Sequence, residues 1–179
     1  MLKILSRILV SPRAEVKDAR KIYQKIMKKS RDKVFYKDGF CPDTTDGRME
    51  ILCLHLVTIM FVLRSYDKTG SQLSQAIYDV MIDDFDVALR EQGLSDTGVA
   101  RRIKPMAKMF FARAKTYADA LAAEEKTDIE LSKLIDTHMT KNSKNAGVFV
   151  RYIKEFHHNL SGNSLGQIAG AEFIFPKFP

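Results

Sequence analysis

Only two cysteines, Cys41 and Cys53, occur in 179 residues. They stand twelve apart with no Cys-x-x-Cys pair and no Cys/His cluster, which argues against a structural zinc site and a disulfide scaffold and fits a reducing compartment. The longest uncharged apolar run is the thirteen residues from Ile51 to Leu63. At about 1.5 Å per residue it spans about 20 Å, short of the roughly 20 apolar residues that cross a bilayer, so it reads as a core helix of a soluble protein. Also missing are a glycine-rich phosphate loop, a Gly-x-Ser-x-Gly elbow and a Cys and His arrangement that suggests a nucleophile. No helix-turn-helix, zinc-finger or RNP-like pattern points to DNA or to a defined RNA fold. Period-2 alternation of useful length is absent as well, so the expected fold is all-α. These gaps leave no catalytic, cofactor or metal residues to assign, and the chain reads as a non-enzyme.

The most informative stretch that is present is CPDTTDGRMEILCLHLVTIMFVLR, Cys41 to Arg64. An acidic turn feeds a helix that is apolar all round except at His55 and Thr58. A helix without a polar face has to be enclosed by other elements. It is therefore expected at the centre, over about residues 49–66, of a single-domain bundle of about six helices.

The remaining elements follow from caps and periodicity. Met1 to Val10 forms a short amphipathic arm, with Lys3 and Arg7 on its polar side, able to lie in a membrane interface or on its own domain. Ser11-Pro12 starts a helix that runs to about Ser30. A third helix spans about Ser71 to Gln92, closed by Gly93. Ser95 or Asp96 caps a fourth that continues to about Ala123, with Pro105 expected to divide it into two pieces. The capping box Thr127-Asp-Ile-Glu130 opens a fifth helix to about Lys141, and a sixth covers about Ala146 to Leu160. Residues 161–179, rich in Gly and Phe, read as an extended tail that packs on its own domain or on a partner. The domain reading is thus one unit over 1–179, with an arm (1–11), a helical core (12–160) and the tail.

Charge is unevenly placed. Residues 1–40 hold twelve Lys or Arg against four acids, whereas the rest of the chain is close to neutral. With Lys17, Lys21, Lys25 and Lys28 along the outward side of the first long helix, this arm is expected to meet an anionic surface, RNA or lipid. Phosphate contact alone gives salt-sensitive, sequence-independent binding, so a general RNA-binding protein is one alternative.

Among titratable groups, the helical wheel places Asp84 in the middle of the third helix's apolar stripe, where a carboxylate needs a partner. His55 and Arg113 are the candidates, giving an internal polar cluster of His55, Asp84 and Arg113, extended by Arg48. The alternative is a ligand- or metal-binding bundle that uses His55, Asp84, Glu155 and His158. Against a di-iron site, Glu155-Phe-His-His158 supplies one Glu-x-x-His pair where that fold uses two.

PDTTDGRMEILCLHLV (Pro42 to Val57) and QAIYDVMIDDFDVALREQGLSDTGVARRIKPMAKMFFARAKTYADAL (Gln75 to Leu121) resemble the ubiquinol-cytochrome c chaperone family, which includes the mitochondrial assembly factor for cytochrome b and bacterial relatives. The likeness covers about residues 12–123 and fades beyond Glu125; near Phe110 to Arg113 the family's usual Phe-Tyr-Gly-Arg is FFAR here. The resemblance implies an all-α, non-enzymatic chaperone for assembly of the cytochrome bc1 complex, with cytochrome b as client. A ribosome and a small partner subunit act with the mitochondrial members. Its motif positions fall on Asp43, Asp46, Arg48, Glu50, His55, Asp79, Asp84, Asp86, Arg90, Lys104 and Arg113. In that setting an apolar surface of Met106, Met109, Phe111, Phe173 and Phe175 is expected to grip the client. The short N-terminal region suggests a bacterial member, cytoplasmic and peripheral to the inner membrane; a eukaryotic one would sit in the mitochondrial matrix.

Overall fold

The computed structural model describes residues 14–123, 127–140 and 143–179, and among these the regular structure is helical. Helix α1 (Ala14–Ser30) buries Ala19, Ile22, Tyr23 and Ile26 at three- and four-residue spacing. Helix α2 (Thr45–Leu63) starts where the Thr44 hydroxyl accepts a hydrogen bond from the Gly47 N–H at 3.1 Å, which satisfies one of the free donors of the first turn. Helix α2 packs against α1 and α6 (Ser143–Ser161), and against α3 (Asp67–Glu91) and α4 (Asp96–Ala122). The enclosure expected of an all-apolar helix is therefore provided by four neighbours. One window within Thr45–Glu91 is long and apolar enough to cross a membrane, but 72% of it is buried inside the protein.

Three elements depart from the sequence reading. α3 begins at Asp67 rather than Ser71, directly after a 3₁₀ turn at Arg64–Tyr66. α4 runs unbroken through Pro105. Proline at that position removes the donor for the Arg101 carbonyl and crowds it, but both residues lie on the exposed side, away from the core packing that holds the helix. The fifth helix, α5 (Thr127–Ile135), gives way to a π-helical turn at Asp136–Thr140 instead of continuing straight. The tail also contains a short helix, α7 (Leu165–Ala169), set by a capping box in which Ser164 and Gln167 bond each other's backbone N–H.

Beyond α7 the chain is extended and returns to the core. Phe178 inserts between Phe35 and Phe149, with ring centroids at 4.8 and 4.9 Å, and reaches Tyr152 at 5.4 Å. Phe173 is fully buried and Phe175 stacks on Phe156 at 5.0 Å. Of the two readings of the tail, packing on its own domain is the one realised. The buried side chains form one contiguous core.

Two glycines make the approach to α2 and the exit from it possible. A Cβ on Gly47 would stand 2.0 Å from the Pro42 carbonyl oxygen, and one on Gly70 would stand 1.9 Å from that of Leu63. In both cases the obstacle is backbone, which cannot swing aside. Overpacking of this kind typically costs about 1–3 kcal/mol, so Gly47→Ala is expected to lower unfolding free energy by about 2–3 kcal/mol, read as a lower urea midpoint with unchanged slope.

Candidate functional site

The internal polar groups are not gathered into one cluster. Glu50, the last charged residue before the apolar run, is buried and receives Arg113 from α4 through Nε (2.9 Å to each carboxylate oxygen) and Nη2 (2.7 Å). Only 18% of the Arg113 side chain and 8% of the Glu50 side chain is exposed, so this is a two-pronged ion pair sealed between α2 and α4. Arg113 therefore belongs to Glu50, not to Asp84 or His55. Tyr117, one helical turn beyond Arg113, is buried beside this pair, and its hydroxyl has no hydrogen-bond partner among the described residues.

His55 is enclosed by Phe35, Tyr152, Phe156 and Phe175. Its Nδ1 lies 2.8 Å from the Ile51 carbonyl and its Nε2 lies 2.8 Å from the Tyr152 hydroxyl. A carbonyl can only accept, so Nδ1 carries the proton and Nε2 accepts from Tyr152. Burial pulls the pKa of this histidine down to about 4. Asp84 differs most from expectation: it is exposed at the rim of α3, where the Tyr23 hydroxyl of α1 donates to it at 2.7 Å. Arg48 is also exposed and pairs with Asp43 at 2.6 Å. The four groups of the expected cluster thus occupy four separate places. The groups of the metal-site alternative are likewise dispersed, since Glu155 and His158 are exposed while both nitrogens of His55 are engaged. Among the described residues no three metal-ligating side chains gather at one point.

Most motif positions act as fasteners. Arg90 binds Asp86 and Asp96, each at 2.5 Å, and so ties the end of α3 to the start of α4. Asp79 accepts from Gln75 at 2.9 Å, Asp46 sits in the first turn of α2, and Lys104 is exposed on α4. Both thiols are buried, and burial pushes their pKa values up, that of Cys41 to about 12, so neither is a thiolate near neutral pH.

The cations assigned to an anionic surface separate in the same way. Lys3 and Arg7 lie outside the described residues. Lys17 and Lys28 are exposed, and Lys21 pairs with Asp18 at 3.0 Å. Lys25 turns inward: its ammonium donates to the Ala171 carbonyl at 2.7 Å and lies 4.6 Å from the centre of the Phe173 ring. It clamps the tail and is not part of an outward stripe.

Of the expected apolar surface, Phe173 is core and Phe175 is packed on Phe156, so neither is offered to a client. Met106 and Met109 are half-buried against the core. Phe111 is 58% exposed. It edges a groove of about 330 Å³ between α2, α3 and α4, whose apolar walls are Val57, Met60, Phe61, Tyr78 and Phe110. Tyr78 and Phe111 stand at the mouth with ring centroids 4.9 Å apart. Sequence reasoning found Phe111 but not Phe61 and Tyr78. Phe61 repeats Val57 at i+4, a spacing that inside an all-apolar helix distinguishes no face.

Two outcomes follow from the buried polar groups. Breaking a buried ion pair from one side typically costs about 3–5 kcal/mol, because the remaining charge is stranded. Arg113→Ala and Glu50→Ala should each approach that loss, and Glu50→Leu with Arg113→Met should recover most of it in equilibrium denaturation. For His55, the folded pKa lies below the ordinary value of about 6.5, so the unfolded chain binds the proton first as pH falls. Its contribution is complete above about pH 6.5 and is lost between there and about pH 4, by up to about 1.4 kcal/mol per pH unit. Urea titrations at pH 7 and pH 5 should show a larger acid loss for the natural chain than for His55→Gln.

The comparison with known proteins agrees with this architecture. The crystal structure of the Cbp3 homolog from Brucella abortus superposes with a TM-score of 0.78 at 26% identity, over 99% of this chain and 97% of that one. No curated protein matches the chain. The family model described as ubiquinol-cytochrome C chaperone matches residues 39–175, well past Glu125, where the likeness read from the sequence fades. The tail that closes over His55 is therefore part of the shared pattern, and the chain belongs to the ubiquinol-cytochrome c chaperone family.

Proposed function

We propose that this bc1 assembly chaperone acts on newly made cytochrome b, holding an apolar segment of that client in the groove between α2, α3 and α4. The observation that carries the reading is Phe111, a large aromatic side chain left 58% exposed beside Tyr78 at the mouth of an apolar channel. A single exposed apolar residue is ordinary, whereas one continuous with an apolar depression marks a surface meant to be covered. Met60 and Phe61 suit such a task, since methionine adapts its shape and the aromatic ring supplies a large contact area. Holding of this kind makes and breaks no covalent bond, which fits a chaperone rather than a catalyst.

The test is photo-cross-linking in cells from a reactive phenylalanine analogue placed at position 111 or 78, with position 87 in the separate groove between α1 and α3 as control. Cross-links to cytochrome b from 111 and 78 but not from 87 are expected, with Phe111→Asp lowering the yield of assembled bc1 complex several-fold. Recovery of cytochrome b only from position 87 would overturn the assignment.

A further inference from the structure

Between Thr97 and Ala118, α4 carries six cations and no acid. Arg113 is spent on Glu50, but Arg101, Arg102, Lys104, Lys108 and Lys115 are all exposed, and none of the five makes an ion pair among the described residues. At 100° per residue, Lys104, Lys115, Lys108 and Arg101 fall within a 60° strip along the helix, and Phe111 stands at its edge, 20° from Lys104. The groove of Val57, Phe61 and Tyr78 opens on the Phe111 side of the same strip.

From this juxtaposition we propose that the outer face of α4 is a docking surface for an anionic lipid bilayer, with the lysine strip on the headgroups and Phe111 reaching into the acyl boundary. The two parts of the face call for different chemistry: the cations need a dense negative surface, and the ring needs an apolar layer directly beneath it. A charged bilayer offers both at that spacing, since lysine stems span the interface while rings settle below the headgroups. Single-stranded RNA offers the charge, but it would use Phe111 for base stacking, and Tyr78 already occupies the ring's flank at 4.9 Å with a tilt of 38°. Phe111 borders the client groove as well, whereas the lysines do not line it, so the lysine strip and vesicles that hold no client separate lipid docking from client binding.

The test is co-sedimentation of the full chain with vesicles of phosphatidylcholine, with and without about one third phosphatidylglycerol, at low and high salt. Each Lys or Arg beside an anionic leaflet contributes about fivefold in partitioning. Lys104→Gln, Lys108→Gln and Lys115→Gln together should therefore weaken binding to the anionic vesicles by about a hundredfold, with Phe111→Ser weakening what remains at high salt. These residues are exposed, and unchanged thermal melting would show that the variants fold. Removal of residues 1–13 should leave most of the binding in place. The proposal is overturned if the triple variant binds as the natural chain does, if binding is lost only with residues 1–13, if neutral vesicles bind equally well, or if single-stranded RNA binds where anionic vesicles do not.

Discussion

A helix with no polar side has to be shielded from water along its whole length, and the enclosure of α2 is the constraint from which the rest of this molecule follows. Four helices surround it, and the chain has to reach and leave it through tight passages at Gly47 and Gly70, where the backbone of another segment occupies the place of a side chain. Near one end of α2 the enclosure encounters a charge, Glu50, which cannot be left alone in a low-dielectric setting. Arg113 answers it with a two-pronged bond, so that the position of α4 against α2 is fixed by directional chemistry as well as by packing. Towards the middle of the helix the same problem recurs at His55. There it is solved by neutrality: one ring N–H donates a hydrogen bond to the helix's own carbonyl and the other nitrogen accepts from Tyr152.

How far this was legible in the sequence depended on what kind of information each residue carried. The all-round apolar character of Ile51 to Leu63 is a statement about environment, and it correctly placed α2 at the centre. Partner choice was not legible, because a helical wheel gives an angle and not a height. Arg113 faces inward as expected, yet it meets α2 at Glu50, while His55, about 140° further round that helix, turns to Tyr152 of α6. Asp84 falls within its stripe by angle, but Tyr23 is long enough to carry a hydroxyl from the α1 core face out to the rim, where the carboxylate remains in water. Lys25 was misplaced by drift: steps of four residues advance about 40° each, so two of them carry it from the angle of Lys17 towards the buried side, where the tail's carbonyls and rings receive it. The tail's short helix was announced by Ser164 and Gln167 at capping-box spacing, a local signal obscured by the glycines around it.

Charge shows the same difference between sums and places. The residues after position 40 are nearly neutral in total, and that balance conceals a separation in which α3 carries six acids against two cations while α4 has no acid between Thr97 and Ala118. A tally by segment assigns basicity to the first forty residues; the fold assigns an exposed cationic face to a helix in the middle of the sequence. On α4 a cationic face and an apolar groove lie side by side.

The arrangement of α4 also supports the proposed placing of a client surface on this helix. Phe111 and Arg113 are two residues apart and about 200° around the axis, so one points out to the groove's mouth while the other is locked to Glu50. A bidentate guanidinium–carboxylate bond restrains rotation of the helix about its axis far better than apolar contacts, which tolerate sliding. The ring is thereby held at a fixed angle to the groove it borders, although it is more than half exposed. An adaptable apolar surface for a membrane-protein segment needs mobile side chains on an immobile frame. In the proposed reading the buried ion pair supplies the frame, while Met60, Phe61, Tyr78 and Phe111 supply the surface.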